Sequence, residues 1–216
     1  MLKKPIILPE GYPFIIVALL LGVIGLWMKW YYAAVVPFVL AVYFTYFFRC
    51  PPRNDKITLG DDVLVSPADG TVVDVCHDAK EDMFLGQTCH KITIFLSIFD
   101  VHCNRSPMEG KITYQSYTQG KFLPAYEEGV GFENERGAIG ITGKNRSILV
   151  ILIAGILARR VVSWKNLGDS LKKGELYGMI KFGSSTELIV PRNVEICVQK
   201  GQTVVGGVTV VGRIKA

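Results

Sequence analysis

One apolar segment constrains this chain more than any other feature. From Gly11 to Phe48, 38 residues carry a single charge, on Lys29. Lys29 and Trp30 divide the segment into two apolar runs, residues 12–28 and 31–48. Each run is close to the ~20 residues that cross the hydrocarbon core of a bilayer. The pattern excludes a uniformly polar globule and a disordered chain. It predicts that residues 1–49 form a membrane anchor, an N-terminal hydrophobic helical hairpin.

Charges around this anchor predict its orientation. Lys3 and Lys4 precede the first run, and Arg49 and Arg53 follow the second. Because cations flanking membrane segments favour the cytoplasmic side, we expect a cell-membrane protein with the rest of the chain in the cytoplasm. The five cysteines show no disulfide-framework spacing, which agrees with a reducing compartment. A net charge of +5 is too small to indicate nucleic acid as a partner, and it suits an anionic lipid surface.

Residues 50–216 are predicted to form one mainly β domain. Pro51 and Pro52 end the second helix, since consecutive prolines cannot extend it. Short runs rich in Val and Ile, bounded by Gly, Asp and Asn, indicate strands. The main predicted strands are 63–66, 71–75, 91–99, 111–117, 138–142, 147–153, 176–180 and 208–211. The run 147–153 is almost entirely apolar, which leaves open a strand buried on both faces or the start of a short helix.

An internal repeat supports a two-part β fold. Residues 168–174 begin and end with Gly, and residues 201–207 repeat this spacing 33 positions later. Each copy precedes an apolar strand, so the glycines predict tight turns with positive φ. Paired hairpins of this kind are typical of a lipoyl/biotinyl-like β-sandwich, the fold class that we expect for this domain.

Three polar segments are candidates for chemistry. The Gly183-Ser184 bond lies in a turn before an apolar run, and a serine hydroxyl can attack the preceding carbonyl when a turn strains it. His102 follows a predicted strand, and Asp69 lies in the turn of residues 66–70 between two strands. Each of these residues alone is more often structural, since turns and strand ends commonly contain such side chains.

Cysteine and histidine stand side by side three times, at residues 76–77, 89–90 and 102–103. Neighbours on a strand point to opposite faces, and the spacing between the pairs lacks the short gaps of structural zinc sites. We therefore expect no metal site.

Taken together, the motifs carry a resemblance to a known family. In order they are an apolar anchor, Ser-Pro-Ala-Asp-Gly (66–70), Leu-Ser-x-Phe-Asp-Val-His-x-Asn-Arg-x-Pro (96–107), Glu-Asn-Glu-Arg (133–136), Ile-Ala-Gly with Ala-Arg-Arg (153–160) and Phe-Gly-Ser (182–184). Over essentially its whole length the chain resembles the short prokaryotic form of phosphatidylserine decarboxylase, a pyruvoyl-dependent enzyme.

This resemblance implies a proenzyme that cuts itself between Gly183 and Ser184, into a β chain (1–183) and an α chain (184–216). Ser184 would become the pyruvoyl group, which would form a Schiff base with phosphatidylserine and release CO2 and phosphatidylethanolamine. The implied partners are an aminophospholipid, the membrane and the two chains themselves. The sequence leaves open a diacyl ester or an archaeal ether lipid (archaetidylserine), and whether the protein forms a homo-oligomer.

The resemblance also assigns roles to residues. His102 would be the general base and acid, and Asp69 would fix its tautomer. The longer bacterial pattern has a second histidine where this chain has Arg105. That change leaves open whether His102 serves both self-cleavage and decarboxylation. Arg105, Arg159 and Arg160 are the candidates for binding the substrate phosphate.

Two other classes of function compete with this interpretation. One is a non-enzymic membrane adaptor on a lipoyl-like domain, although no heptad stretch occurs here. The other is a membrane serine protease that pairs Ser184 with Lys181. Under the decarboxylase interpretation, we expect an apolar rim around the pocket mouth, and we hypothesise that the exposed residues Met83-Phe84-Leu85 form part of it.

Overall fold

The computed structural model describes residues 6–53, 60–120, 135–144, 146–155, 160–181 and 184–214. The chain divides into two compact units, Met1–Pro52 and Arg53–Ala216. Each unit is described by itself below.

The first unit is a helical hairpin. A 3-10 turn, Pro9–Gly11, leads into helix α1, Tyr12–Trp27, and helix α2 follows at Tyr31–Phe47. Pro9–Trp27 is, within the described residues, the one helical stretch long and apolar enough to cross a membrane by length and composition; Tyr31–Phe47 is shorter. The predicted bounds were 12–28 and 31–48.

The turn between the helices is a hydrogen-bonded C-cap. Lys29 takes a left-handed conformation, with φ +61°. Its amide N–H donates to the Leu26 carbonyl at 3.0 Å, and the Trp30 N–H donates to the Gly25 carbonyl at 2.9 Å. This is the pattern of a Schellman motif, which usually has glycine at the left-handed position. Small residues then let the helices approach closely, since a Cβ on Gly25 would lie 3.1 Å from that of Ala34.

The second unit is mainly β, as the sequence predicted; its likeness to a lipoyl domain stays a prediction. Its described strands, β1 to β14 in chain order, are Val63–Val65, Gly70–Glu81, Gln87–Leu96, Cys103–Arg105, Gly110–Thr118, Arg136–Thr142, Ser147–Ala154, Arg160–Ser163, Ser170–Leu171, Leu176–Lys181, Ser184–Pro191, Val194–Ile196, Thr203–Val204 and Val210–Ile214.

These strands form three antiparallel sheets. The largest has eight strands in the order β13-β2-β3-β11-β7-β6-β5-β9, and the others are β1-β14-β12 and β4-β10-β8. The apolar run that the sequence left open is strand β7. Ile148, Val150 and Leu152 belong to the main core on one face, while Leu149 and Ile151 belong to a second cluster on the other. Burial on both faces explains why β7 shows no alternation of polar and apolar residues.

The glycine repeat is confirmed as a pair of equivalent turns. Gly168, Gly174, Gly201 and Gly207 all have positive φ, from +74° to +94°. The first copy contains β9 and the second β13, which lie at opposite edges of the eight-stranded sheet. The unit is therefore built from two related halves.

A second repeat, residues 66–70 and 106–110, also relates the two halves of the β unit. Both copies read Ser-Pro-x-Asp/Glu-Gly, and each leads into a long strand, β2 or β5. The Arg105 N–H donates to the Pro67 carbonyl at 2.8 Å, and the Val65 N–H donates to the Pro107 carbonyl at 3.0 Å. These reciprocal bonds join the two halves where the turns meet.

The expected apolar rim at residues 83–85 is wrong. The Glu81 carboxylate is buried and accepts the backbone N–H groups of Met83, Phe84 and Leu85, at 2.5 to 3.2 Å. Phe84 and Leu85 thereby pack on the outer cluster of the eight-stranded sheet, and only Met83 is exposed. The hydrogen-bonded turn folds the apolar side chains back onto the sheet.

Sheet register also separates this turn from Ser184. The Phe84 ring covers Gly140, where a Cβ would lie 2.6 Å from it. Gly140 pairs with Leu149, and Leu149 pairs with Ile189 of β11. Ile189 is five residues from Ser184, about 16 Å along a strand. The turn therefore lies far from the end of β11 that carries Ser184.

Phe84→Ala should lower the free energy of unfolding by about 2 kcal/mol, because it removes a half-buried ring from the outer cluster. Met83→Ala, the control in the same turn, should change it by less than about 0.5 kcal/mol. Denaturant unfolding in detergent measures both. If the two substitutions change the free energy of unfolding equally, Phe84 is as exposed as Met83, and the expected apolar rim would be right after all.

Candidate functional site

Four neighbouring inner strands of the eight-stranded sheet end or begin on the same side of the sheet, where the ends of the strands lie. Ser184, the first residue of β11, pairs with Leu96, the last residue of β3, and with Ala154, the last residue of β7. Beside β3, strand β2 begins at Gly70. The predicted site residues Asp69 and Ser184 therefore lie at the same edge, which we call the Ser184 edge.

Gly70 allows β2 to approach β3 closely at this edge. Its φ is +148°, and a Cβ at this position would lie 2.2 Å from the Phe95 carbonyl oxygen. A side chain would meet both backbone strain and a steric clash. Glycine is therefore required here, and it brings the preceding residue, Asp69, next to the end of β3.

Asp69 is bound by two groups. Its Oδ2 accepts from the Arg53 guanidinium at 2.5 Å, and its Oδ1 accepts from the Gly206 backbone N–H at 2.7 Å. The side chain is 15% exposed. Burial raises the pKa of the carboxyl group, while Arg53 and the Gly206 N–H oppose that rise. Ionised Asp69 thus depends on Arg53, a partner that we did not predict.

His102 is buried between the end of β3 and strand β10. Its Nδ1 lies 3.0 Å from the Asp100 carbonyl oxygen, and its own carbonyl accepts from the Ile180 N–H at 3.2 Å. A carbonyl at Nδ1 favours the tautomer that carries its proton there. In this structure the Asp100 backbone takes the tautomer-fixing role that we expected of Asp69, and a catalytic pairing of Asp69 with His102 stays a prediction.

The turn between Leu96 and His102 is held by internal hydrogen bonds. The Ser97 N–H donates to the Asp100 carboxylate at 2.8 Å, and the Phe99 N–H donates to the Ser97 hydroxyl at 3.1 Å. Strand β3 therefore ends at Leu96 rather than at residue 99 as predicted. The turn places the Asp100 carbonyl oxygen 3.0 Å from Nδ1 of the imidazole.

Arg105 lies in a different setting from the one that we expected. It is 2% exposed, and its Nη1 donates to the Gly174 carbonyl at 3.0 Å. A Cβ on Gly207 would lie 2.8 Å from its Cδ. Arg105 thus fills the space between the two glycine turns, and its binding of a substrate phosphate stays a prediction.

Arg160 is an exposed cation near the Ser184 edge. It begins β8 and pairs with Lys181, the last residue of β10. Buried Glu135 accepts the Val161 N–H at 3.0 Å, and its own carbonyl accepts the Ala154 N–H at 2.9 Å. Glu135 therefore ties β8 to the end of β7 beside Ser184. The other two expected site residues, Gly183 and Arg159, lie outside the described residues.

Sequence reasoning missed Arg53 and Glu135 as partners in this site. Arg53 was interpreted only as a flanking charge, and Glu135 only as part of a family motif. The Ser-Pro-x-Asp/Glu-Gly repeat was a usable signal, because it marks the turn of Asp69 and its counterpart Glu109 as equivalent positions. Asp69 is largely buried and Glu109 is exposed, so of the two carboxylates only Asp69 lies in a buried environment of the kind found at functional sites.

Comparisons with known proteins show the family of the chain. Residues 40–212 match the family described as phosphatidylserine decarboxylase. A phosphatidylserine decarboxylase proenzyme of Carboxydothermus hydrogenoformans is 45% identical, over 99% of this chain and 100% of its own length. One of Symbiobacterium thermophilum is 43% identical, over 99% and 98%. One of Syntrophus aciditrophicus is 41% identical, over 94% and 95%.

These matches first show the class of the protein, which is a decarboxylase. The alternative of a non-enzymic membrane adaptor is thereby excluded. At this identity and coverage, the chain belongs to the phosphatidylserine decarboxylase family. The resemblance drawn from its motifs is confirmed.

Proposed function

We propose that this protein decarboxylates phosphatidylserine to phosphatidylethanolamine with a pyruvoyl group that it makes from its own Ser184. The observation that carries the proposal is the position of Ser184, at the start of an inner strand and at the edge where Asp69, His102 and Arg160 also lie. Family membership supports the substrate, since the relatives are named phosphatidylserine decarboxylase proenzymes.

The local structure fits a group formed at residue 184. Ser184 begins β11, which is hydrogen-bonded to β3 on one side and to β7 on the other. A break before Ser184 would leave the new chain end held by both neighbours. Further along the same segment, β13 pairs with β2 and β14 pairs with β1. The α chain, residues 184–216, would therefore stay bound to the β chain after cleavage.

Self-cleavage needs a hydroxyl, a base and one water molecule. The Ser184 hydroxyl attacks the Gly183 carbonyl, and the peptide bond becomes an ester. A base then removes the Ser184 α-proton, and the Gly183 carboxylate leaves. Water hydrolyses the remaining dehydroalanine to a ketone and ammonia. Consumption of one water and release of one ammonia balance the sequence of steps.

Once formed, the pyruvoyl group supplies a carbonyl that binds the substrate amine and accepts the electron pair released with CO2. The other roles belong to side chains at the Ser184 edge. His102, with Nδ1 next to the Asp100 carbonyl, would exchange protons through Nε2, which is buried. Arg160 would attract the phosphodiester, because it is an exposed cation near this edge.

The apolar hairpin gives the enzyme access to its substrate. We propose that α1 and α2 hold the catalytic unit at the membrane, on the cytoplasmic side. A diacyl lipid cannot leave the bilayer without exposing its chains, at ~0.8 kcal/mol per CH2. A tethered site needs to draw out only the head group and glycerol.

Ser184→Ala should abolish cleavage, because alanine has no hydroxyl to attack Gly183. Intact-mass spectrometry of the wild-type protein should show two chains, and the chain from residue 184 should be lighter by one ammonia than a serine end would make it. Ser185→Ala, the control one residue further, should still cleave. An active wild-type preparation that contains only the intact chain would contradict the proposal.

Arg53→Gln should move the acid limb of the self-cleavage pH profile to higher pH. The substitution removes the cation that holds down the pKa of Asp69, so the carboxylate forms only at higher pH. Lys91→Gln is the control, because it removes a cation from an ion pair with Glu187 that lies five residues from the Leu96 end of β3. It should leave the acid limb of the self-cleavage profile unchanged. If the acid limb of the self-cleavage profile does not move in Arg53→Gln, ionised Asp69 takes no part in the cleavage step.

A further inference from the structure

The helical hairpin carries its Trp and Tyr side chains at two levels. Four of them lie in the turn between the helices and beside it, in residues 27–32, which we call the tip: Trp27, Trp30, Tyr31 and Tyr32. All four are exposed, by 60% to 95%. The others lie near the opposite end of the hairpin, which we call the base: Tyr12, Tyr43 and Tyr46. Between the two levels, residues 13–26 and 33–42 contain no polar side chain.

A cation accompanies the aromatic side chains at each level. At the tip, Lys29 is exposed, and the hydrogen bonds of the C-cap hold its backbone. At the base, the Arg49 guanidinium lies 3.7 Å from the centre of the Tyr46 ring, and its Nη1 donates to the Tyr46 carbonyl at 2.8 Å. Trp, Tyr and long cationic side chains concentrate where lipid hydrocarbon meets the head groups. Each end of the hairpin therefore has the composition of a membrane interface.

The separation of the tip from the base fits one bilayer. Helix α1 has 16 residues and helix α2 has 17, which corresponds to a rise of about 24–26 Å. Side chains at both ends extend this span toward the ~30 Å of a hydrocarbon core. A slightly short span is accommodated by local thinning of the bilayer and by snorkelling of the flanking cations.

The exposed surface of the hairpin conflicts with two shallower arrangements. A hairpin that lies flat in one interface needs a polar face toward water. The exposed side chains between the two levels are apolar on both helices and include Ile16, Leu20, Val23, Val36, Val39 and Val42. A re-entrant wedge would instead leave the tip inside the hydrocarbon, where the Lys29 ammonium would have no water.

The chain enters and leaves the hairpin at the base. The Leu8 N–H donates to the Phe48 carbonyl at 2.9 Å, and the Cys50 N–H donates to the Ile6 carbonyl at 2.7 Å. These bonds pair the segment before α1 with the segment after α2. The chain that follows Cys50 therefore starts at the base, at the end of the hairpin away from the tip.

We propose that the hairpin crosses the whole bilayer and that its tip binds the phospholipid head groups of the far leaflet. Lys29 would contact the lipid phosphates, and the Trp and Tyr side chains would lie at the level of the glycerol. The catalytic unit and the tip would then be on opposite sides of the membrane. This inference goes beyond the proposed tether, and it does not depend on the chemistry at residue 184.

The test is cysteine labelling of the full chain in sealed membrane vesicles, either right-side-out or inside-out, with peptide mapping by mass spectrometry. Tyr32→Cys places a thiol at an exposed position of the tip, and the native Cys197 is an exposed thiol of the catalytic unit. Val39→Cys, in the apolar middle of α2, is the matched control. A membrane-impermeant maleimide should label the Tyr32→Cys thiol only in right-side-out vesicles and Cys197 only in inside-out vesicles. It should label the Val39→Cys thiol in neither.

Labelling of the Tyr32→Cys thiol and Cys197 from the same side would overturn the inference. A Tyr32→Cys thiol that reacts from neither side would overturn it too, because the tip would then lie within the hydrocarbon. Labelling from opposite sides, but with the two sides exchanged, would support the full crossing. That result would contradict only the cytoplasmic position of the catalytic unit in the proposed function.

Tryptophan fluorescence gives a second measurement that leaves the hairpin unchanged. Trp27 and Trp30 are two of the three tryptophans of the chain, and Trp164→Phe removes the third. In vesicles of brominated phosphatidylcholine, bromine near the head groups should quench the remaining emission more strongly than bromine at the chain ends. The reverse order would place the tip at the centre of the bilayer, and the inference would be wrong.

Discussion

The structure depends on the pairing of strand β11 between β3 and β7. Residues 184–189 pair with strands on both sides, and Leu188 and Val190 pack in the core, so the backbone of Ser184 occupies a fixed place at the sheet edge. With that constraint, a chain break before Ser184 would not separate the two parts. It also puts Ser184, the proposed reacting residue, at the ends of β3 and β7, near the Asp69 turn and the start of β8.

The two halves of the β unit are related, yet only one carries the candidate site. Residues 66–70 and 106–110 make equivalent turns, and the glycine turns of residues 168–174 and 201–207 occupy opposite sheet edges. Asp69 is bound by Arg53 and the Gly206 N–H, whereas its counterpart Glu109 is exposed. Pairing with Arg53 offsets the cost of burying a carboxylate, so burial and the neighbouring charge distinguish the site from its structural duplicate.

Sequence patterns predicted both helices and most of the longer strands, because apolar runs and glycine turns have local causes. They placed residues 184–187 in a turn, whereas these residues begin strand β11, where pairing with β3 and β7 overrides their turn-like composition. They did not predict β4, β8, β9, β12 and β13, since strands of two to four residues show no period. The ion pair of Arg53 with Asp69 joins residues 16 positions apart, and a linear pattern does not encode it. The mistaken rim at residues 83–85 has the same origin, because Glu81 folds that turn onto the sheet through backbone contacts. His102, Asp69 and Ser184 were chosen as candidates from motifs, and their catalytic roles stay predictions, whereas Arg53 and Glu135 emerged only from three-dimensional neighbours.

The central claim is that residue 184 becomes a keto electrophile that binds a lipid amine. Borohydride reduction in the presence of phosphatidylserine, followed by mass spectrometry of the separated chains, tests it directly. We expect a stable lipid adduct on the chain that begins at residue 184 and none on the chain that ends at residue 183. Absence of an adduct from an active, cleaved preparation, or an adduct on a lysine of the larger chain, would contradict the account.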